Sequence, residues 1–90
     1  MAEVITVRYW AAARAAAGQE LDEVPAPGPT TLDAVLAEVG RRHAGSSKFA
    51  DVLGCCSVLV GDRPVAGLDP ATVPLVPGDQ VELLPPFAGG

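Results

Sequence analysis

The residues best placed to do chemistry are the last six, Pro85-Pro86-Phe87-Ala88-Gly89-Gly90. Proline fixes φ and favours an extended, polyproline-like path, so this end is expected to stand off the body. Gly89 and Gly90 have no Cβ and can enter a channel too narrow for any other residue. Such an end could deliver the backbone carboxylate of Gly90. A carboxylate is inert until one oxygen becomes a good leaving group, which adenylation by ATP achieves. A bare Gly-Gly end can also be a frayed terminus without meaning. Two prolines and an aromatic directly after a strand weigh against that reading.

Other reactive constellations are sparse. His43 is the single histidine, near a helix end and outside any motif with cysteine or serine; a solvated residue that favours the C-terminal dipole is expected. The carboxylates are scattered and read as solubilising surface, since no pair has a spacing that demands acid–base work. Gly61-Asp62 and Gly89-Gly90 belong to no phosphate-binding loop. Cys55 and Cys56 are adjacent, which suits neither a relaxed disulfide nor a metal site. They are expected to be small buried hydrophobes in a reducing compartment.

Composition narrows the partners. Ninety residues make one domain, and 49% hydrophobic against 19% charged residues makes it globular. A net charge of −5, with Lys48 the only lysine, disfavours nucleic acid and anionic membrane. It also leaves little for isopeptide chains built on this protein. No run reaches the roughly 20 apolar residues of a membrane helix. Met1-Ala2-Glu3 shows no positive leader before an apolar segment, so a cytoplasmic protein is expected.

Several elements must position the tail. Residues 4–10 alternate as a strand, with Ile5, Val7 and Tyr9 on one face and Val4, Thr6, Arg8 and Trp10 on the other. Residues 11–17 are alanine-rich and helical, with Gly18 as their stop. Residues 19–24 are weakly strand-like, and Pro25, Pro27, Gly28 and Pro29 form a stiff connector. Thr30 is the expected N-cap of the main helix, with Asp33 three residues on. Leu32, Val35, Leu36 and Val39 mark its buried face, opposite Asp33, Glu38, Arg41 and Arg42. Phe49, Val52 and Leu53 predict a shorter helix ending at Gly54. Residues 56–60 read as a strand turning at Gly61-Asp62 into Pro64-Val65-Ala66. Residues 70–74 read as irregular. Pro77-Gly78-Asp79 turns the chain into a last strand over 80–84. Strands around one long helix give an α+β fold, with the apolar first and last strands parallel at the sheet centre. That is a β-grasp (ubiquitin-like) domain over 1–84, followed by an extended tail over 85–90.

The run from Gly78 to Gly90 resembles the C-terminus of the MoaD/ThiS family of ubiquitin-like sulfur carriers, and in particular the small subunit of molybdopterin synthase. Val7-Arg8-Tyr9-Trp10-Ala11-Ala12-Ala13-Arg14, Gly18 and Pro29-Thr30-Thr31-Leu32 are similar to the same family. The resemblance implies a non-catalytic carrier subunit of a sulfurtransferase. An adenylating enzyme related to ubiquitin activators would use ATP to charge Gly90, and sulfur would replace AMP to give a thiocarboxylate. Gly89 would thread beside it, into a large synthase subunit within a heterotetramer, for dithiolene formation in molybdenum cofactor biosynthesis. No cofactor or metal would be held by this chain itself. The implied docking patch comprises Trp10, Val65, Leu84 and Phe87, with Pro85, Pro86 and Ala88 of the tail and an ion pair from Arg14. A core position for Trp10 and a solvated Arg14 remain open on pattern alone. Sulfur carriers of thiamine or cysteine biosynthesis, and ubiquitin-like protein modifiers, share the same glycine end.

Overall fold

Alternation decides which side of the first strand is dry. Ile5, Val7 and Tyr9 point the same way and are at most 2% exposed, because successive strand side chains face opposite sides of a sheet. The computed structural model describes residues 3–65 and 67–86. Its elements begin with β1 (Val4–Tyr9), α1 (Ala11–Ala17), β2 (Leu21–Pro25) and the short β3 (Thr30–Thr31). Two helices follow, α2 (Leu32–Arg42) and α3 (Ser47–Leu53), then β4 (Ser57–Val60) and β5 (Arg63–Pro64). A 3₁₀ turn at Pro70–Thr72, β6 (Pro74–Leu75) and β7 (Gln80–Leu84) complete the fold.

The main sheet has the order β2-β1-β7-β4-β5. At its centre β1 and β7 run parallel, with Val7 opposite Val81 and Tyr9 opposite Leu83. Both flanking pairs are antiparallel. The inward side chains of these strands meet Leu32, Val35 and Val39 of α2 and Phe49 of α3 in one core. A mixed sheet with a helix across one face is the β-grasp arrangement that the sequence predicts.

Three local departures have physical causes. The N-cap of α2 is Thr31, whose Oγ1 accepts from the Ala34 N–H at 3.3 Å, rather than Thr30. Thr30 and Thr31 both pair in the two-stranded β3–β6 sheet, with Leu75 and Pro74, so the chain stays extended up to Thr31 and α2 starts only at Leu32; part of the stretch expected to be irregular is therefore a strand. That pairing joins residues far apart in the chain and leaves no local periodicity to read. Cys55 is exposed and only Cys56 is partly covered, because Cys55 lies in the turn between α3 and β4, where its N–H donates to the Val52 carbonyl at 3.0 Å. Burial, and secondarily the neighbouring Cys55, push the Cys56 thiol above its usual range.

The turn into β7 depends on Gly78, whose φ is +97°. Its N–H donates to the Val4 carbonyl at 2.9 Å, tying the turn to the start of β1. Beyond its two chain neighbours, no atom of the described residues lies within 4 Å of where a Cβ would sit, so Gly78→Ala meets backbone strain alone. That strain costs about 1–2 kcal/mol, and a thermal melt should show Tm lower by roughly 4–16 °C.

Candidate functional site

β7 carries the chain to the tail through the middle of the sheet, held by β1 on one side and β4 on the other. The root of the tail is therefore fixed by pairing on both edges. Leu84 is half-buried, Pro85 is buried and Pro86 is exposed. Pro85 and Pro86 line a shallow, mostly apolar depression of about 280 Å³ with Ala12, Asp51, Val52 and Cys55. Phe87, Ala88, Gly89 and Gly90 lie outside the described residues.

Trp10 stands beside this root. Its backbone N–H donates to the Leu83 carbonyl at 3.2 Å, and its indole Nε1 donates to Glu82 Oε1 at 3.1 Å. The side chain is 42% exposed, so it is not in the core. The residue after it, Ala11, has φ +49°, a left-handed conformation unusual for a side chain with Cβ, of the kind that gathers at functional sites. Arg14 is exposed on α1 and lies 3.4 Å from the still more exposed Glu20. Such a pair between solvated side chains contributes little.

Val65 does not join the patch. It is 5% exposed and packs in the core, because its N–H donates to the Val58 carbonyl at 3.1 Å and holds the residue against the inner side. The structure thus places Trp10 beside Glu82 and Leu83 at the tail root, whereas Pro85 and Pro86 face the depression lined by Ala12, Asp51, Val52 and Cys55. Arg14 lies on the exposed side of the adjoining helix and Val65 inside.

A second polar constellation escapes the motif reading. Asp22 is only 8% exposed. Its Oδ2 accepts from the Tyr9 hydroxyl at 2.6 Å and from His43 Nε2 at 2.7 Å, while Gln19 Nε2 donates to Oδ1. The Arg42 guanidinium is 3.7 Å away. His43 is accordingly not a solvated helix end: its side chain is 13% exposed and its ring lies 4.5 Å from that of Phe49. Burial works to raise the Asp22 pKa, but the hydrogen bonds from Tyr9 and His43, together with the nearby positive charges, prevail and hold the carboxyl below the ordinary range. Burial first, then the bond to Asp22, pushes the Tyr9 phenol above its usual range. A signal was available, because Asp22 shares its strand face with Val24, and a tyrosine on the dry face of β1 needs a partner for its hydroxyl. The cluster is a structural clamp between β1, β2 and the end of α2.

The geometry agrees with what the chain is similar to. The profile of the ThiS family matches residues 7–90, including the tail. The chain belongs to the ThiS family. This is a family of ubiquitin-like sulfur carriers. Among solved structures, the HVO 2177 protein of Haloferax volcanii is 29% identical with a TM-score of 0.73, over 97% of this chain and 86% of that one. A chain of the complex of subunits 1 and 2 of molybdopterin-converting factor from Helicobacter pylori is 26% identical with a TM-score of 0.62, over 97% and 99%. SAMP1 of Haloferax volcanii has a TM-score of 0.78 over 97% and 99% but 21% identity, so that likeness is one of fold. No curated protein matches the chain.

Proposed function

We propose that this ThiS-family chain is the small subunit of molybdopterin synthase and carries sulfur as a thiocarboxylate on Gly90. The observation that carries the reading is a family match running through Gly90, on a fold whose central strand leads directly to the Pro85-Pro86 root of the tail. The body over 1–84 supplies recognition and the tail over 85–90 supplies delivery. An adenylating enzyme activates the Gly90 carbonyl with ATP, AMP leaves, and sulfur takes its place. The thiocarboxylate is a softer nucleophile than the carboxylate, and the partner supplies the acid–base groups. The H. pylori relative, solved as a complex of subunits 1 and 2, supports a large-subunit partner that receives the tail. Trp10, Leu84, Pro86 and Phe87 form the docking patch in this reading, with Arg14 at its margin. No helix of the described residues is long and apolar enough to cross a membrane, and the reading puts the carrier in the cytoplasm.

Incubation with the activating enzyme, ATP and a sulfur donor should give a species ~16 Da heavier by intact mass, as sulfur replaces oxygen at the activated carbonyl. The charged carrier should then transfer sulfur to precursor pterin in the presence of the large synthase subunit. Transfer to a thiazole synthase alone would assign the chain to thiamine biosynthesis, transfer to a cysteine-forming enzyme alone would assign it to that pathway, and isopeptide adducts without the mass shift would make it a modifier.

A further inference from the structure

The strand registers place one row of side chains across the outer face of the sheet, the face opposite the core. It runs Leu21, Arg8, Glu82, Leu59 and Pro64, from β2 through β1, β7 and β4 to β5. None of the five is buried. Arg8 and Glu82 are register partners across the parallel pair, but Glu82 Oε1 is engaged by the Trp10 indole at 3.1 Å. Arg8 Nε is buried and has no hydrogen-bond partner among the described residues. An N–H of a charged group shut away from water without an acceptor is costly, and a native fold keeps such groups rarely. Nε is covered by the chain's own atoms, so a partner's carboxylate would meet the guanidinium at its two terminal nitrogens, a rigid planar fork that fits a carboxylate through two parallel bonds.

The surroundings favour use of that fork in an interface. Leu21, Leu59 and Leu84 are half-exposed and Trp10 is 42% exposed, all on the same face by strand alternation. A partner covering them would exclude water around Arg8 and strengthen any charge-assisted bond made there. The chain as a whole carries −5, whereas this position offers a cation. The complementary group is therefore a single carboxylate set in an apolar surround, not a broad acidic surface.

We propose that Arg8 anchors a protein interface on the outer sheet face by pairing with an aspartate or glutamate side chain of the large synthase subunit, an assignment that rests on the molybdopterin-synthase reading above. Trp10 and the three leucines close over the pair, and the tail root at Leu84 is continuous with the same surface.

The test is calorimetric titration of the whole chain into the large subunit from the same organism, for the wild type, Arg8→Gln and Arg8→Lys. Arg8→Gln should weaken binding about 30-fold or more, the scale expected when one partner of a covered charge pair is removed. Arg8→Lys keeps the charge but not the fork and should fall between the two. Wild-type affinity should drop with added salt more steeply than that of Arg8→Gln, a difference that loss of packing alone does not produce. Should Arg8→Gln fail to fold, Arg8→Lys and the salt slope decide the matter. Wild type and Arg8→Gln binding within threefold of each other, with equal salt slopes, overturns the inference while leaving the carrier function standing. A wild type that takes up sulfur but does not bind the large subunit overturns both. A dimer of the chain alone that Arg8→Gln dissociates would reassign the face to self-association and overturn the inference as well.

Discussion

Adding one alanine after Gly90 is expected to abolish thiocarboxylate formation and leave melting unchanged. The reason is positional: in the proposed mechanism an activating enzyme brings ATP to a terminal carboxylate, and the added residue turns the Gly90 carboxyl into an amide and ends the chain on a residue with a Cβ. An amide offers no oxygen to adenylate, and the new carboxylate stands one residue, about 3.5 Å, too far along the chain. The loss should therefore be complete, with no ~16 Da species in the intact mass. The tail root is held by β7, paired on both edges, so the body keeps its stability whatever residues extend the tail. If the extended chain, verified untrimmed, still supports cofactor synthesis, the terminal-carboxylate mechanism is wrong.

The second large effect concerns the fold. Asp22→Ala removes at one stroke the acceptor of the Tyr9 hydroxyl, of His43 Nε2 and of the Gln19 amide. It also leaves a tyrosine hydroxyl without a partner in the core, where Tyr9 is 2% exposed. Breaking a covered, charged hydrogen-bond cluster costs about 3 kcal/mol, a large share of the roughly 5–15 kcal/mol available to a domain. Chemical denaturation should show that difference, and Tm should fall by roughly 12–24 °C. Asp22→Asn keeps an acceptor for Tyr9 without the charge and should lie between. The acid limb follows from the depressed Asp22 pKa. Its folded value lies below its unfolded one, so the stabilisation is present above about pH 4 and is lost as pH falls through the folded value. The gap between wild type and Asp22→Ala should close in acid. Tyr9 sets the opposite limb: its phenol is raised, so its contribution is whole below about pH 10 and is lost as pH rises beyond that. A variant that melts at the wild-type temperature, or a gap that widens in acid, would show that the cluster does not clamp the fold.

Much of the architecture was legible because its cause is local. Alternation sorted the side chains of β1 and β7 into two faces, though it left open which face of β1 is dry. The spacing of Leu32, Val35 and Val39 marked α2, and Gly18 and Gly78 marked a helix end and a turn, both at positive φ. The Gly-Gly end was legible because it depends on covalent structure rather than on packing. The features that pattern missed depend on partners distant in the chain. Thr30 and Thr31 pair with Leu75 and Pro74, and that pairing keeps the chain extended as far as the capping Thr31. His43 is covered because Phe49 and Tyr9 come to it from other elements. Val65 goes inside because β4 holds its backbone.

By itself, then, the amino-acid sequence determined the alternating strands, the amphipathic helix, the parallel central pair they imply and the Gly-Gly end without side chains. Tertiary structure decided that Asp22 is buried against Tyr9 and His43, that Trp10 stays out of the core and that Arg8 keeps a buried N–H without an acceptor among the described residues. The physical reason is that strand pattern assigns a side chain to a face, whereas burial and hydrogen bonding depend on what long-range register sets against that face.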